Sequence, residues 1–150
     1  MSSFFNVFPK LALLTSISLF CTCLFCDGFY WTSSPDRAYP GWQLLLLGWS
    51  AIPHGGIAWF ANPALGLGWT FLASRRPVRS AGLASLGLAF MFSFLLVSEV
   101  TSVYASTSSG VTGYGIGYWL WVASAVTLLL ASLVSALPTE FLERAPNGSL

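Results

Sequence analysis

The residues able to carry chemistry are few and scattered. His54, Asn62 and Glu99 are the polar groups that stand in or beside long apolar stretches. An imidazole, an amide and a carboxylate could together hold a cation or pass protons along a polar path. Each also has a simpler account. Glu99 lies eight residues beyond the middle of its apolar stretch, so about 12 Å from that centre at 1.5 Å per residue. There a carboxylate beside Ser98, Thr101 and Ser102 reaches the headgroup level, where ionisation is cheap. His54 belongs to Pro53-His54-Gly55-Gly56, a turn sequence that a membrane surface needs without any ligand. One histidine makes no metal site by itself.

Cys21, Cys23 and Cys26 sit within one apolar run. On a helix, steps of two and three residues spread the sulfurs over about 200° and 300° of arc. Cys23 and Cys26 could share a face with each other but not with Cys21. Paired CxxC or HxxxH spacing is missing, so the sulfurs read as small apolar side chains and free thiols, with no metal or cofactor expected. No Walker A, GxSxG, HExxH or Gly-rich dinucleotide loop occurs, and no two acids share an apolar stretch. The expectation is a protein that is not an enzyme.

Two further groups could touch ligands. Arg75, Arg76 and Arg79 surround Pro77 in a tight basic loop that could meet anionic headgroups, though fixing topology is enough to explain it. Tyr30, Trp31, Tyr39, Trp42, Tyr114, Tyr118 and Trp119, with Trp49 close by, gather at the opposite ends of the apolar stretches. They could line a lipid or small-molecule groove, or form an anchoring belt that needs no ligand.

The elements that must position these groups are set by hydropathy. Charged residues are 7% of the 150 and hydrophobic ones 55%, too little charge to cover a water-soluble surface. Asp, Glu, Lys and Arg are missing from 11–26, 38–74, 80–98 and 100–139. Each window can hold one crossing of about 20 residues. The expectation is an all-α membrane protein, a single domain over 1–150, bundling four transmembrane helices near 11–29, 57–74, 80–103 and 115–137. An interfacial or broken helix near 41–52 precedes the second span, because Pro53-His54-Gly55-Gly56 interrupts a stretch too long for one helix and too short for two. One long, kinked helix is the alternative. The first span reads as an uncleaved helix, since no A-x-A-like site follows it. Residues 30–40 and 105–113 read as polar loops. Small residues at Ala81, Ser85 and Ala89, at Ala64 and Gly68, and at Ser124, Leu128, Ser132 and Ala136 are expected to face one another.

Orientation follows from the bases. Lys10, Arg75, Arg76, Arg79 and Arg144 fall on one side, which places both termini in the cytoplasm. Arg37 alone is opposite.

Gly41-Trp42, Leu46-Leu47-Gly48-Trp49, Ala58-Trp59-Phe60-Ala61-Asn62-Pro63 and Gly115-Ile116-Gly117-Tyr118-Trp119-Leu120-Trp121 resemble a group of small bacterial membrane proteins. In that group a W-x-A-N-P element precedes a basic loop and a G-Y-W-L-W element opens the last helix. The resemblance runs from about Tyr39 onward and implies a bacterial inner-membrane location, but no catalytic residues.

The expected function is therefore non-catalytic: an accessory subunit or membrane-protective protein acting through helix contacts. Its partners would be membrane lipids, and a second membrane protein or a second copy of itself. No basic stripe with interleaved aromatics points to nucleic acid. The alternative is a small oligomeric transporter or channel lined by His54, Asn62 and Glu99.

Overall fold

A computed structural model of the chain describes residues 2–32, 34–54, 56–101 and 108–137. The described part is mostly helical, with a small sheet at one end. Helix α1 spans Ser2–Cys23, α2 Gly41–Leu47, α3 Ala61–Ala73, α4 Pro77–Ser93 and α5 Ile116–Ala136. Short 3-10 segments occupy Gly48–His54, Ile57–Phe60 and Phe94–Leu96. With its 3-10 extension α4 forms a 20-residue apolar rod, Pro77–Leu96, and α5 is one of 21 residues. Those two helices are long and apolar enough to cross a membrane.

The boundaries have local causes. At the end of α3, Arg75 adopts a left-handed φ of 56°, and the N–H groups of Arg75 and Arg76 return to the carbonyls of Leu72 and Phe71 at 3.0 and 2.8 Å. This pair of hydrogen bonds satisfies carbonyls that the helix end leaves open. Pro77 then opens α4 in its first turn, where the missing N–H costs nothing. Pro63 likewise falls in the first turn of α3, so Asn62-Pro63 starts a helix and makes no kink. The stretch expected to hold a short helix before the second span does hold one, α2, followed by the two 3-10 segments.

Three expectations fail at the sheet. Residues 30–40 and most of 105–113 are not loops: β1 (Asp27–Trp31), β2 (Ser34–Pro40), β3 (Glu99–Thr101) and β4 (Ser108–Tyr114) form antiparallel pairs in the order β2-β1-β4-β3. Residues 102–107 lie outside the described residues. The first helix ends at Cys23 and not at Phe29, and the third gives way after Leu96, so neither reaches its expected end. Glu99 is therefore in a strand, opposite Gly110, and not in a helix. The physical reason is pairing across long sequence separations. Phe29 sits opposite Tyr39 on one side and Tyr114 on the other, and an apolar residue that gains two ladder partners leaves the helix.

α1 packs on α5, α5 on α4, and α4 on α3. Ala61, Leu65, Leu72, Ala84, Met91, Val122, Ala125, Leu128 and Ala131 form the core between them. Ala64, Gly68, Ser124, Leu128 and Ser132 are buried as expected, whereas Ala136 is exposed. On α4 the buried face is Ser80, Ala84, Gly87 and Met91, and Ser85 and Ala89 face outward. The expected stripe is one residue out of register: two parallel rows of small residues run along this helix, and the row holding Ser80 meets α3, where Ser80 bonds the Gly68 carbonyl.

Buried hydroxyls tie the helices together. Trp69 Nε1 donates to Ser16 Oγ at 2.9 Å, and Ser16 donates to the Ser124 carbonyl at 2.8 Å. Ser132 donates to Ser80 Oγ at 2.8 Å, and Ser80 donates to the Gly68 carbonyl at 2.8 Å. Replacing Ser16 by alanine is expected to lower stability by about 1–2 kcal/mol, because it strands the Trp69 indole N–H. Thermal unfolding of the detergent-solubilised protein measures it; an unchanged midpoint means that the indole finds another acceptor.

Candidate functional site

The sheet, α2 and the first two 3-10 segments close over the ends of α1 and α5. Between them lies an apolar cavity of about 370 Å³. That is within the range of small-molecule sites, roughly 300–1,000 Å³. Phe20 and Cys23 come from α1, Phe29 and Trp31 from β1, Tyr39 from β2, Gln43 and Leu44 from α2, Ala58 and Trp59 from the second 3-10 segment, and Tyr118 and Trp121 from α5. Alternation along β1 puts Phe29 and Trp31 on the cavity side and Tyr30 on the other.

Three close backbone approaches hold the walls together. The N–H groups of Gly41 and Trp42 donate to the Cys26 and Leu24 carbonyls at 3.0 and 2.9 Å, which anchors α2 under the turn between α1 and β1. Gly115 N–H donates to the Gly28 carbonyl at 2.8 Å and brings the start of α5 against the same turn. A side chain at Gly41, Gly115 or Gly117 would collide with that turn's carbonyls.

Aromatic rings form a continuous wall. Trp31 meets Tyr39 edge-on with centroids 4.3 Å apart, Tyr39 is 5.6 Å from Phe29, and Phe29 is 5.2 Å from Phe94. Phe94 continues to Tyr114 and Tyr118 at 5.8 and 6.1 Å, and Tyr118 to Trp121 at 6.2 Å. Edge-to-face contacts of this kind each add roughly 0.5–1.5 kcal/mol beyond area burial. Tyr118 is buried and donates to the Met91 carbonyl at 3.0 Å, and Tyr114 donates to the Phe94 carbonyl at 3.3 Å.

The structure divides the expected aromatic cluster. Trp31, Tyr39 and Tyr118 line the cavity and Tyr114 buttresses it, while Trp42 and Trp119 are about half exposed, at 47% and 51%. Tyr30 donates to the Asp27 carboxylate at 3.2 Å, and that negative neighbour pushes the Tyr30 hydroxyl above its ordinary pKa. Desolvation pushes Tyr114 the same way. Phe29, Phe94 and Gln43 were not singled out from sequence, and Trp59 entered only within the W-x-A-N-P element. Gln43 carried a signal, as the only polar side chain in the heptapeptide of α2; the others looked like ordinary apolar residues.

The polar trio is split. Asn62 is on the cavity wall, its Oδ1 accepting from Trp121 Nε1 at 3.0 Å. Glu99 is exposed on β3. The backbone of His54 ends the first 3-10 segment, and its side chain lies outside the described residues. Cys21 is exposed, Cys23 buried and Cys26 between the two, all as free thiols. Arg75, Arg76 and Arg79 lie at the far end of α4 from the sheet, exposed, with the Arg79 guanidinium 5.8 Å from the Phe71 ring centre. Lys10 is exposed on α1, and Arg144 and the rest of the C-terminal tail lie outside the described residues.

Among the described residues no three His, Cys, Asp or Glu side chains come together as metal ligands. The cavity lining carries no charged side chain among the described residues. What such an enclosure can do is bind: it offers apolar surface, ring edges and a few amide and indole donors. Comparisons with protein-family models, with curated proteins and with solved structures give no match.

Proposed function

We propose that this is a non-catalytic, multi-pass protein of the bacterial inner membrane, with four spans and both termini in the cytoplasm, whose outer cap holds an apolar chain. In that setting it serves as an accessory subunit or a guardian of the membrane, acting through helix contacts and the lipid it retains. The observation that carries this reading is the cavity of about 370 Å³ beneath the sheet, aromatic-walled and uncharged among the described residues.

The outward faces support the membrane setting. Leu11, Leu14, Leu67, Leu86, Leu130 and Leu133 are exposed on four different helices, an apolar surface that water would not tolerate at this extent. The cap adds Trp42, Trp49 and Trp119, which suit the interface between hydrocarbon and headgroups. The transporter alternative needs His54, Asn62 and Glu99 on one path. Asn62 is engaged by Trp121 and Glu99 sits on the sheet, so the described geometry adds nothing to it.

The test is retention of lipid. Native mass spectrometry of the full chain, extracted in mild detergent, is expected to show one bound lipid. Ala58→Phe, which fills the cavity from its wall, is expected to release it while thermal unfolding stays within a few degrees of wild type. A wild-type protein that sheds all lipid, or an Ala58→Phe variant that keeps it, overturns the reading.

A further inference from the structure

The end of α1 brings two thiols onto one side of the chain. Leu24, Phe25 and Cys26 donate their N–H groups to the carbonyls of Cys21, Thr22 and Cys23 at 3.3, 3.1 and 3.2 Å, each to the third residue back. Such bonds tighten the coil to about 3 residues per turn, and side chains three positions apart then eclipse. At about 2.0 Å of rise per residue, Cys23 and Cys26 stand about 6 Å apart on the same side. That falls inside the separation of roughly 4.4–6.8 Å that the Cα atoms of a disulfide span. Cys21, on the α-helical part, is turned about 200° away from Cys23. Cys23 is 4% exposed on the cavity wall, and Cys26 is half-buried. Neighbouring elements hang on this same turn. The Cys26 and Leu24 carbonyls accept from Gly41 and Trp42 at the start of α2, and the Gly28 carbonyl accepts from Gly115 at the start of α5.

We propose that Cys23 and Cys26 form a reversible disulfide that clamps this turn, and with it the seats of α2 and α5. The oxidant is an external disulfide. The Cys26 thiolate, the more exposed of the pair, attacks one of its sulfurs. That S–S bond breaks, and the departing thiolate takes up the proton that Cys26 gave. The Cys23 thiolate then attacks the Cys26 sulfur of the mixed disulfide and displaces the second external thiol, which takes up the proton from Cys23. Two protein thiols are oxidised, and one external disulfide is reduced to two thiols. Disulfides persist outside the cytoplasm, where the orientation proposed above puts the turn; the bond itself is independent of what fills the cavity.

The full chain in mild detergent is incubated with oxidised glutathione, denatured, treated with N-ethylmaleimide and weighed by mass spectrometry. Without oxidant each chain is expected to take a maleimide on Cys21, Cys23 and Cys26. After oxidation it takes one on Cys21 alone, with Cys23 and Cys26 joined. Cys23→Ser should keep glutathione on Cys26, because the thiol that would displace it is gone, and Cys21→Ala should oxidise as wild type does. Oxidised wild type should unfold about 5 °C above the reduced form, the yield of cross-linking a short turn, and Cys26→Ser should show no such difference. Full labelling after oxidation, glutathione left on wild-type Cys26, or a bridge that engages Cys21 overturns the pairing. A bridge that forms without moving the midpoint overturns the clamp. None of these readouts depends on bound lipid, so this bond and the lipid reading fail separately.

Discussion

Gly115→Ala is expected to destabilise the protein by about 3 kcal/mol, the upper end of what overpacking costs. A Cβ built on Gly115 collides with the Asp27 carbonyl oxygen and stands 2.7 Å from its carbon, both backbone atoms that cannot rotate away. Relief requires α5 to retreat from the turn after α1, and that breaks the 2.8 Å bond from Gly115 N–H to Gly28. Gly117 faces the same turn, with the Asp27 carbonyl at 2.7 Å, so a Gly117→Ala variant should behave alike. Gly82, inside α4, provides the contrast, because nothing lies within 4 Å of its hypothetical Cβ. There alanine should stabilise by roughly 0.5–1 kcal/mol through lower backbone entropy in the unfolded chain. Thermal unfolding in detergent reads both signs. If Gly115→Ala unfolds with wild type, α5 does not approach that turn and the cavity has lost its floor.

Topology offers an all-or-none result. A reporter fused after Leu150 is expected to be active only in the cytoplasm, and one inserted at Ser108 only outside. The Arg75–Arg76 turn and the sheet occupy opposite ends of α4, so one orientation puts the bases inside and the aromatic cap outside together. Changing Arg75, Arg76 and Arg79 to glutamine should remove most of that bias and give a mixture of orientations, visible as reporter activity on both sides. A wild-type reporter at Ser108 active in the cytoplasm would place the cap inward and end the lipid-facing account of its tryptophans.

Particular elements show how far residues alone carry the reading. Helix α5 was expected at 115–137 and lies at Ile116–Ala136, because an unbroken apolar run between Gly115 and Pro138 leaves few other choices. The break before α3 was legible for the same kind of reason, Pro53 with two glycines. Aromatic residues were expected at the end away from the arginines, and the structure gathers Trp31, Tyr39, Tyr114 and Tyr118 there. Which of them would face a cavity was not legible, since Tyr30 and Trp31 are adjacent and alike in chemistry.

Hydropathy, bases and helix breakers are properties of consecutive residues, and each acts on the backbone beside it. They determined where the helical segments fall, the ends of α5 and the separation of arginines from aromatics. Only the tertiary structure decided that Phe29 leaves the first helix to pair with Tyr39 and Tyr114, that α4 turns Ser80 and Ala84 inward, and that Gln43 and Trp31 line one cavity. Those outcomes depend on partners 10 to 85 positions away in the chain, as the strand pairs show. Hydrogen-bond pairing and close packing are satisfied between segments, so no single stretch contains the information that selects them.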